Sequence, residues 1–166
     1  MNHAEFQQFI KNCYLFNAVA GKDVPKTRQD LRRQVKLIQE ELNETNKAIM
    51  ERNMEAALDG VVDVLVTALG LAQQLESLGC NVSGAAVATS ENNLTKFLPT
   101  HIKDLSRVIA EEVAKFKEAG IEVTHRVDTE RGFVVFKDTN DKVRKPSFFV
   151  SNDLREFVPS PVFKIK

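Results

Sequence analysis

The chain has 166 residues, 43% of them hydrophobic, which is enough for one domain with a real core. Lys+Arg and Asp+Glu number 23 each, so the formal net charge is +0 at pH 7, which excludes nucleic-acid binding driven by a broad basic surface. Cys13 and Cys80 lie far apart with no metal or redox spacing, so reduced thiols and a cytoplasmic setting are expected. Met1-Asn2-His3-Ala4-Glu5 lacks a basic-then-apolar leader, and the apolar run 61–72 carries Asp63 and is shorter than the roughly 20 residues that span a bilayer, so no membrane partner is expected.

Residues 4–16 read as a short amphipathic helix with Phe6, Ile10, Cys13 and Phe16 on one face. Gly21 and Pro25 punctuate a loop. Residues 26–51 give the clearest helix. Leu31, Val35, Ile38, Leu42, Thr45 and Ile49 step by four and three as a packing seam, and Leu37, Glu41, Glu44 and Ala48 form a stripe beside it. Residues 53–78 predict a third helix, apolar on every side around Ala56–Ala72 and therefore buried. A fourth is expected at 85–98, ended by Pro99, and a fifth at 101–119, closed by Gly120. The pattern then changes to alternation. Residues 121–127 and 133–136, joined by Asp128–Gly132, predict a β-hairpin, and the tail from Asp138 to Lys166 reads as loop. His3, His101 and His125 show no ligand spacing.

Acids mark the candidate site. Asp59 and Asp63 interrupt the apolar third helix, four apart and so on one face. Glu41 and Glu44 are three apart on the helix before it, with Glu40 pointing further out. A short turn at Glu51–Asn53 brings the two pairs face to face. Four carboxylates in one interhelical space repel strongly without a cation. A hard divalent ion takes oxygen ligands of this kind together with water and substrate phosphate.

The pattern Glu41-Leu-Asn-Glu44 followed on the next helix by Asp63 resembles the MazG-like all-α nucleoside triphosphate pyrophosphohydrolases. That superfamily carries E-x-x-E and then E-x-x-D. Here the position three before Asp63 is Gly60, and the acid stands at Asp59, as in the D-x-x-x-D of the phage and bacterial, phosphoribosyl-ATP pyrophosphohydrolase-like branch. The helix Leu31–Glu44 is similar to that branch's first motif helix, and Asn93-Leu-Thr-Lys96-Phe97 to its N-[ML]-[ST]-K-[FL] motif. Asp141-Lys-Val-Arg-Lys-Pro146 resembles its D-G-K-V-x-K-P segment without the Gly, and Asn152-Asp-Leu154 its P-D-L ending. The likeness runs over about residues 10–158.

The resemblance implies a single mainly α domain over 1–166: an all-α pyrophosphohydrolase bundle over about 4–120, with a small C-terminal β-hairpin and tail over about 121–166. It implies hydrolysis of a (d)NTP to (d)NMP and diphosphate, in nucleotide-pool cleansing or control. Mg²⁺, or Mn²⁺, would be held by Glu41, Glu44, Asp59 and Asp63. Glu41 and Glu44 would act on the attacking water, and Asn93, Lys96 and Lys145 would contact substrate. Phe16, Asn17 and Phe97 are candidates for lining a base. A homodimer or homotetramer is implied, with no nucleic acid. Phosphoribosyl-ATP or dUTP specificity remains an alternative within the class. A non-catalytic nucleotide-binding or dimerisation module is the alternative outside it.

Overall fold

The computed structural model describes residues 2–160. The chain is mainly helical, 59% helix, with a small antiparallel sheet toward its C-terminus. Its described residues divide into two compact units, 2–82 together with 155–160, and Ser83–Leu154.

The first unit is built from α1 (His3–Val19), α2 (Arg28–Met50) and α3 (Met54–Ser77). Each helix starts where a side chain satisfies its free amides. Asn2 Oδ1 accepts from Ala4 N–H at α1, and Asn53 Oδ1 from Ala56 N–H at α3. At α2, Asp30 reaches back to the Thr27 N–H at 2.8 Å. The turn from α2 to α3 is tight because Arg52 takes a left-handed backbone, φ 56°.

Packing in this unit departs from the apolar seam expected of the sequence. On α2 the buried side chains are Gln34, Thr45 and Ala48, while Val35, Leu42 and Ile49 are exposed. The seam is rotated, so that Leu31, Ile38 and Glu41 are half-buried beside the polar and small residues. The cause lies on α3. A Cβ on Gly60 would stand 3.2 Å from the Thr45 Cα, and one on Gly70 would meet the Gln34 amide. Helices that approach this closely leave room between them only for small side chains and for amides whose N–H groups find partners. Gln34 Nε2 donates to Thr67 O and Gln74 Nε2 to Lys22 O, both at 2.8 Å.

The expectation that α3 is buried on all sides is overturned for the same reason. Leu58 is 68% exposed, Val61 and Val62 are also exposed, and the contact face is Ala57, Gly60, Gly70 and Gln74. On α1 the buried pair is Cys13 and Asn17, whereas Phe16 is exposed. Cys13 and Cys80 are free thiols. Among the described residues no helix is long and apolar enough to cross a membrane.

The second unit holds most of α4 (Val82–Leu94), then β1 (Leu98–Pro99), α5 (Leu105–Glu118), β2 (Val123–Asp128), β3 (Phe133–Asp138) and β4 (Val143–Arg144). The fourth helix stops at Leu94, earlier than its composition suggests. Leu98 and Pro99 instead pair with β3, opposite Val134 and Phe133. Proline lacks a ladder donor and is at home on such an edge. The hairpin forms as expected, with His125 opposite Phe136 and Val127 opposite Val134. Strand β3 is central, because β4 also pairs with it through Phe136 and Lys137.

The tail therefore contains a strand that its loop-like composition hid. Its turn is built on Asp138, whose Oδ1 accepts from the Asn140 and Lys142 amides. Arg155–Phe157 form a 3₁₀ turn that belongs to the first unit, with Phe157 O accepting from Asn81 N–H. The expected loop at 161–166 lies outside the described residues. The core of the sheet unit is Leu98, Ile109, Val134 and Phe136, packed by Leu105, Val108, Val113 and Phe116 from α5. The α5 periodicity and the β3 alternation thus bury one common set of side chains.

Candidate functional site

Close approach of α2 and α3 sets the level of the acids. Thr45 lies against Gly60 and Gln34 against Gly70, so descending α2 matches ascending α3. The two helices are antiparallel. Glu41, one turn before Thr45, therefore falls beside Asp63, one turn after Gly60.

Glu41 and Asp63 are half-buried at the margin of the contact, while Glu44 and Asp59 are exposed. Threonine hydroxyls on both helices bond back to the preceding turn there. Thr45 Oγ1 donates to Glu41 O at 2.7 Å and Thr67 Oγ1 to Asp63 O at 2.9 Å. Burial pushes the Glu41 carboxyl above the ordinary carboxylate range, and the charges that raise it further are all acids: Asp63, Glu44, Glu40 and Asp59. Asp63, Glu44 and Asp59 thus act on Glu41 through their charges, with Glu40 as a further contributor to the field.

The fit to a divalent cation has two sides. The donor set suits a hard ion: carboxylate oxygens at helical spacing on two helices in contact. Their side chains, however, are not drawn together. Among the described residues no group of three or more His, Cys, Asp or Glu is arranged to hold a metal ion. The exposed carboxylates of Glu44 and Asp59 stand in water, where like charges are screened. A cavity of about 600 Å³ opens next to Asp59, lined also by Asn53, Glu55 and Leu58.

Gly60 explains the unusual spacing of the second acid pair. A side chain three before Asp63 would run into Thr45, so that position can hold no carboxylate in this helix pair. Asp59, one residue earlier, lies outside the contact and can carry one.

The basic candidates belong to the second unit. Lys96 Nζ donates to Asn93 Oδ1, and Lys145 Nζ sits 4.4 Å from the Phe149 ring centroid. Phe97 packs against Phe133 with centroids 5.8 Å apart. Of the residues considered for lining a base, Phe16 is an exposed side chain on α1 and Asn17 is a buried one, its amide bonded to Cys13 O at 3.0 Å.

Outside all of these motifs lies Glu112, 3% exposed under the loop after Pro146. It accepts from Ser147 N–H, Ser147 Oγ and Lys115 Nζ. Burial opposes its charge, but these donors win and hold its carboxyl below the ordinary range. Its signal was present in the periodicity: Glu112 falls three after Ile109 and four before Phe116, on the apolar face of α5. Comparison with protein-family models, with curated proteins and with solved structures found no match.

Proposed function

We propose that the chain is a Mg²⁺-dependent nucleoside triphosphate pyrophosphohydrolase of the MazG-like kind, converting a (d)NTP and water to a (d)NMP and diphosphate. The observation that carries this reading is the field at Glu41. Burial raises that half-buried carboxyl, and the neighbouring carboxylates Asp63, Glu44, Glu40 and Asp59 raise it further. Repulsion of this kind opposes folding, and a bound cation offsets it.

In this reading Glu41, Glu44, Asp59 and Asp63 hold the ion. The ion would supply screening of the phosphate charge and a more acidic attacking water. Glu41 and Glu44 orient the water or take its proton as it attacks the α-phosphorus in line with the departing diphosphate. Exposed aliphatics on the same helices, among them Val35, Leu42, Ile49 and Leu58, support a homo-oligomer that covers them.

The test is diphosphate release from a panel of NTPs and dNTPs. Activity is expected with Mg²⁺ and not with chelator. It should fall at least about a hundredfold in Glu44→Gln and in Asp63→Asn, since each removes charge from the ion's ligand set. Wild-type turnover in both variants sinks the assignment.

A second reading, a non-catalytic nucleotide-binding or dimerisation module, is favoured by one observation: the acids are not gathered into a ready ligand group. That reading expects saturable nucleotide binding, or self-association alone, with no diphosphate released from any member of the panel.

A further inference from the structure

The sheet unit carries a cavity of its own, about 470 Å³, between the end of α4, the β1–β3 pair and the loop after Pro146. Its size is that of a small-molecule site. Phe97, Pro99, Phe133 and Phe148 supply flat apolar walls, and Asn92 and Thr95 a polar edge. The walls are held in place. Phe97 and Phe133 form a tilted pair at 56°. Phe148, 48% exposed, lies between two pinned points: Ser147 is tied to the buried Glu112, and Val150 O accepts from Asn92 Nδ2 at 2.7 Å. A partly uncovered aromatic ring on a loop fastened at both ends is an organised surface, and planar ligands stack on such rings.

The polar edge is more specific. The Asn92 amide donates to Val150 O, and the Thr95 hydroxyl donates to Asn92 O at 2.8 Å. With the Thr95 hydroxyl and one Asn92 amide hydrogen engaged, Asn92 Oδ1 and Thr95 Oγ1 remain as acceptors, beside the second Asn92 amide hydrogen. A ligand that satisfies them brings N–H groups on the edge of a flat ring. We infer that this cavity binds an amino-bearing heteroaromatic ring, a nucleobase such as adenine or cytosine, stacked on the phenylalanines with its exocyclic amine directed at Asn92 and Thr95. The inference is independent of the carboxylates of the helical unit.

Ligand-observed NMR titration of the full chain tests it, in EDTA and without phosphate, using adenosine, cytidine, purine riboside and toluene as probes. Adenosine and cytidine should bind saturably, and purine riboside, which lacks the amine, at least about fivefold more weakly. Phe148→Ala should weaken adenosine at least about fivefold through lost stacking. Thr95→Val should narrow the ratio between adenosine and purine riboside. The Glu44→Gln Asp63→Asn double variant should bind adenosine as the wild type does, so this result and the hydrolysis result are read separately. The inference is overturned by absence of saturable adenosine binding. It is equally overturned if purine riboside or toluene matches adenosine, or if a folded Phe148→Ala binds undiminished.

Discussion

The two units treat their acids in opposite ways. In the sheet unit each inward carboxylate has its own donors. Glu112 takes Ser147 and Lys115, Asp128 takes Arg131 and Arg126, and Asp138 takes two amides and Arg144. All three carboxyls are held below the ordinary range. In the helical unit burial and the neighbouring acids Asp63, Glu44, Glu40 and Asp59 together push Glu41 up. The cores differ in parallel. One is aliphatic and aromatic, with Leu98, Val134 and Phe136 fully buried; the other is Cys13, Asn17, Gln34, Thr45, Ala48, Ala57 and Gln74. A carboxylate with fixed donors is part of a scaffold. A group of carboxylates acting on one another is a place where a cation would be stabilising.

The sharpest way to break this contrast is to remove the best-satisfied acid. Glu112→Ala would leave the Ser147 amide and hydroxyl without their acceptor and cut the loop from α5. The expected cost is about 2–4 kcal/mol, roughly 5–15 °C in Tm. Thermal melts measure it. A loss below about 0.5 kcal/mol, the size of an ordinary surface substitution, would mean that Glu112 is not holding the loop.

Legibility followed the same division. The five helices and the hairpin were readable, because periodicities of 3.6 and 2 and the stop signals at Gly79 and Gly120 are local. The pairing of Leu98–Pro99 with β3 was not, since it depends on a strand more than thirty residues away. The acid pairs on α2 and α3 were readable from spacing, but their burial was misjudged. Hydrophobicity suggested a wrapped α3, whereas contact follows the small residues, which look unremarkable in a list. Gly60 and Thr45 rotate the interface toward Glu41 and leave Leu42, Ile49 and Leu58 outside. Glu112 was legible in principle and was hidden by its place beside Glu111 in a charged stretch.

Gly60 gives a smaller but cleaner test of that rotation. Alanine raises intrinsic helix propensity by about 1 kcal/mol, so a solvent-facing Gly60→Ala would stabilise. Here the new methyl meets Thr45, and overpacking costs about 1–3 kcal/mol. A net loss of about 0–2 kcal/mol is expected, accompanied by weaker metal-induced stabilisation as the helices part. Thr45→Ser removes the methyl but leaves the crowding hydroxyl, so it should rescue little, whereas Thr45→Ala should restore much of the loss. A Gly60→Ala protein more stable than wild type would show that α2 and α3 do not meet there.

The smallest effect is the most diagnostic, because its sign differs between the units. A carboxyl raised on folding binds its proton more tightly folded than unfolded. Its favourable contribution is complete below the unfolded Glu value of about 4.3 and is lost as pH rises through the raised folded value. Glu41 behaves this way. Glu112, held low, does the reverse: its contribution is present above the unfolded value and disappears as pH falls through the folded one. In chelator at about pH 8, Glu41→Gln should therefore melt slightly above wild type, and Glu112→Gln below it. Both gaps should close as the pH is taken toward the carboxylate range. Excess Mg²⁺ should reverse the first gap, because the cation stabilises only a chain that keeps its ligands, and should leave the second unchanged. A Glu41→Gln chain that melts below wild type in chelator would mean that the acids do not repel, removing the electrostatic ground for a cation between these helices.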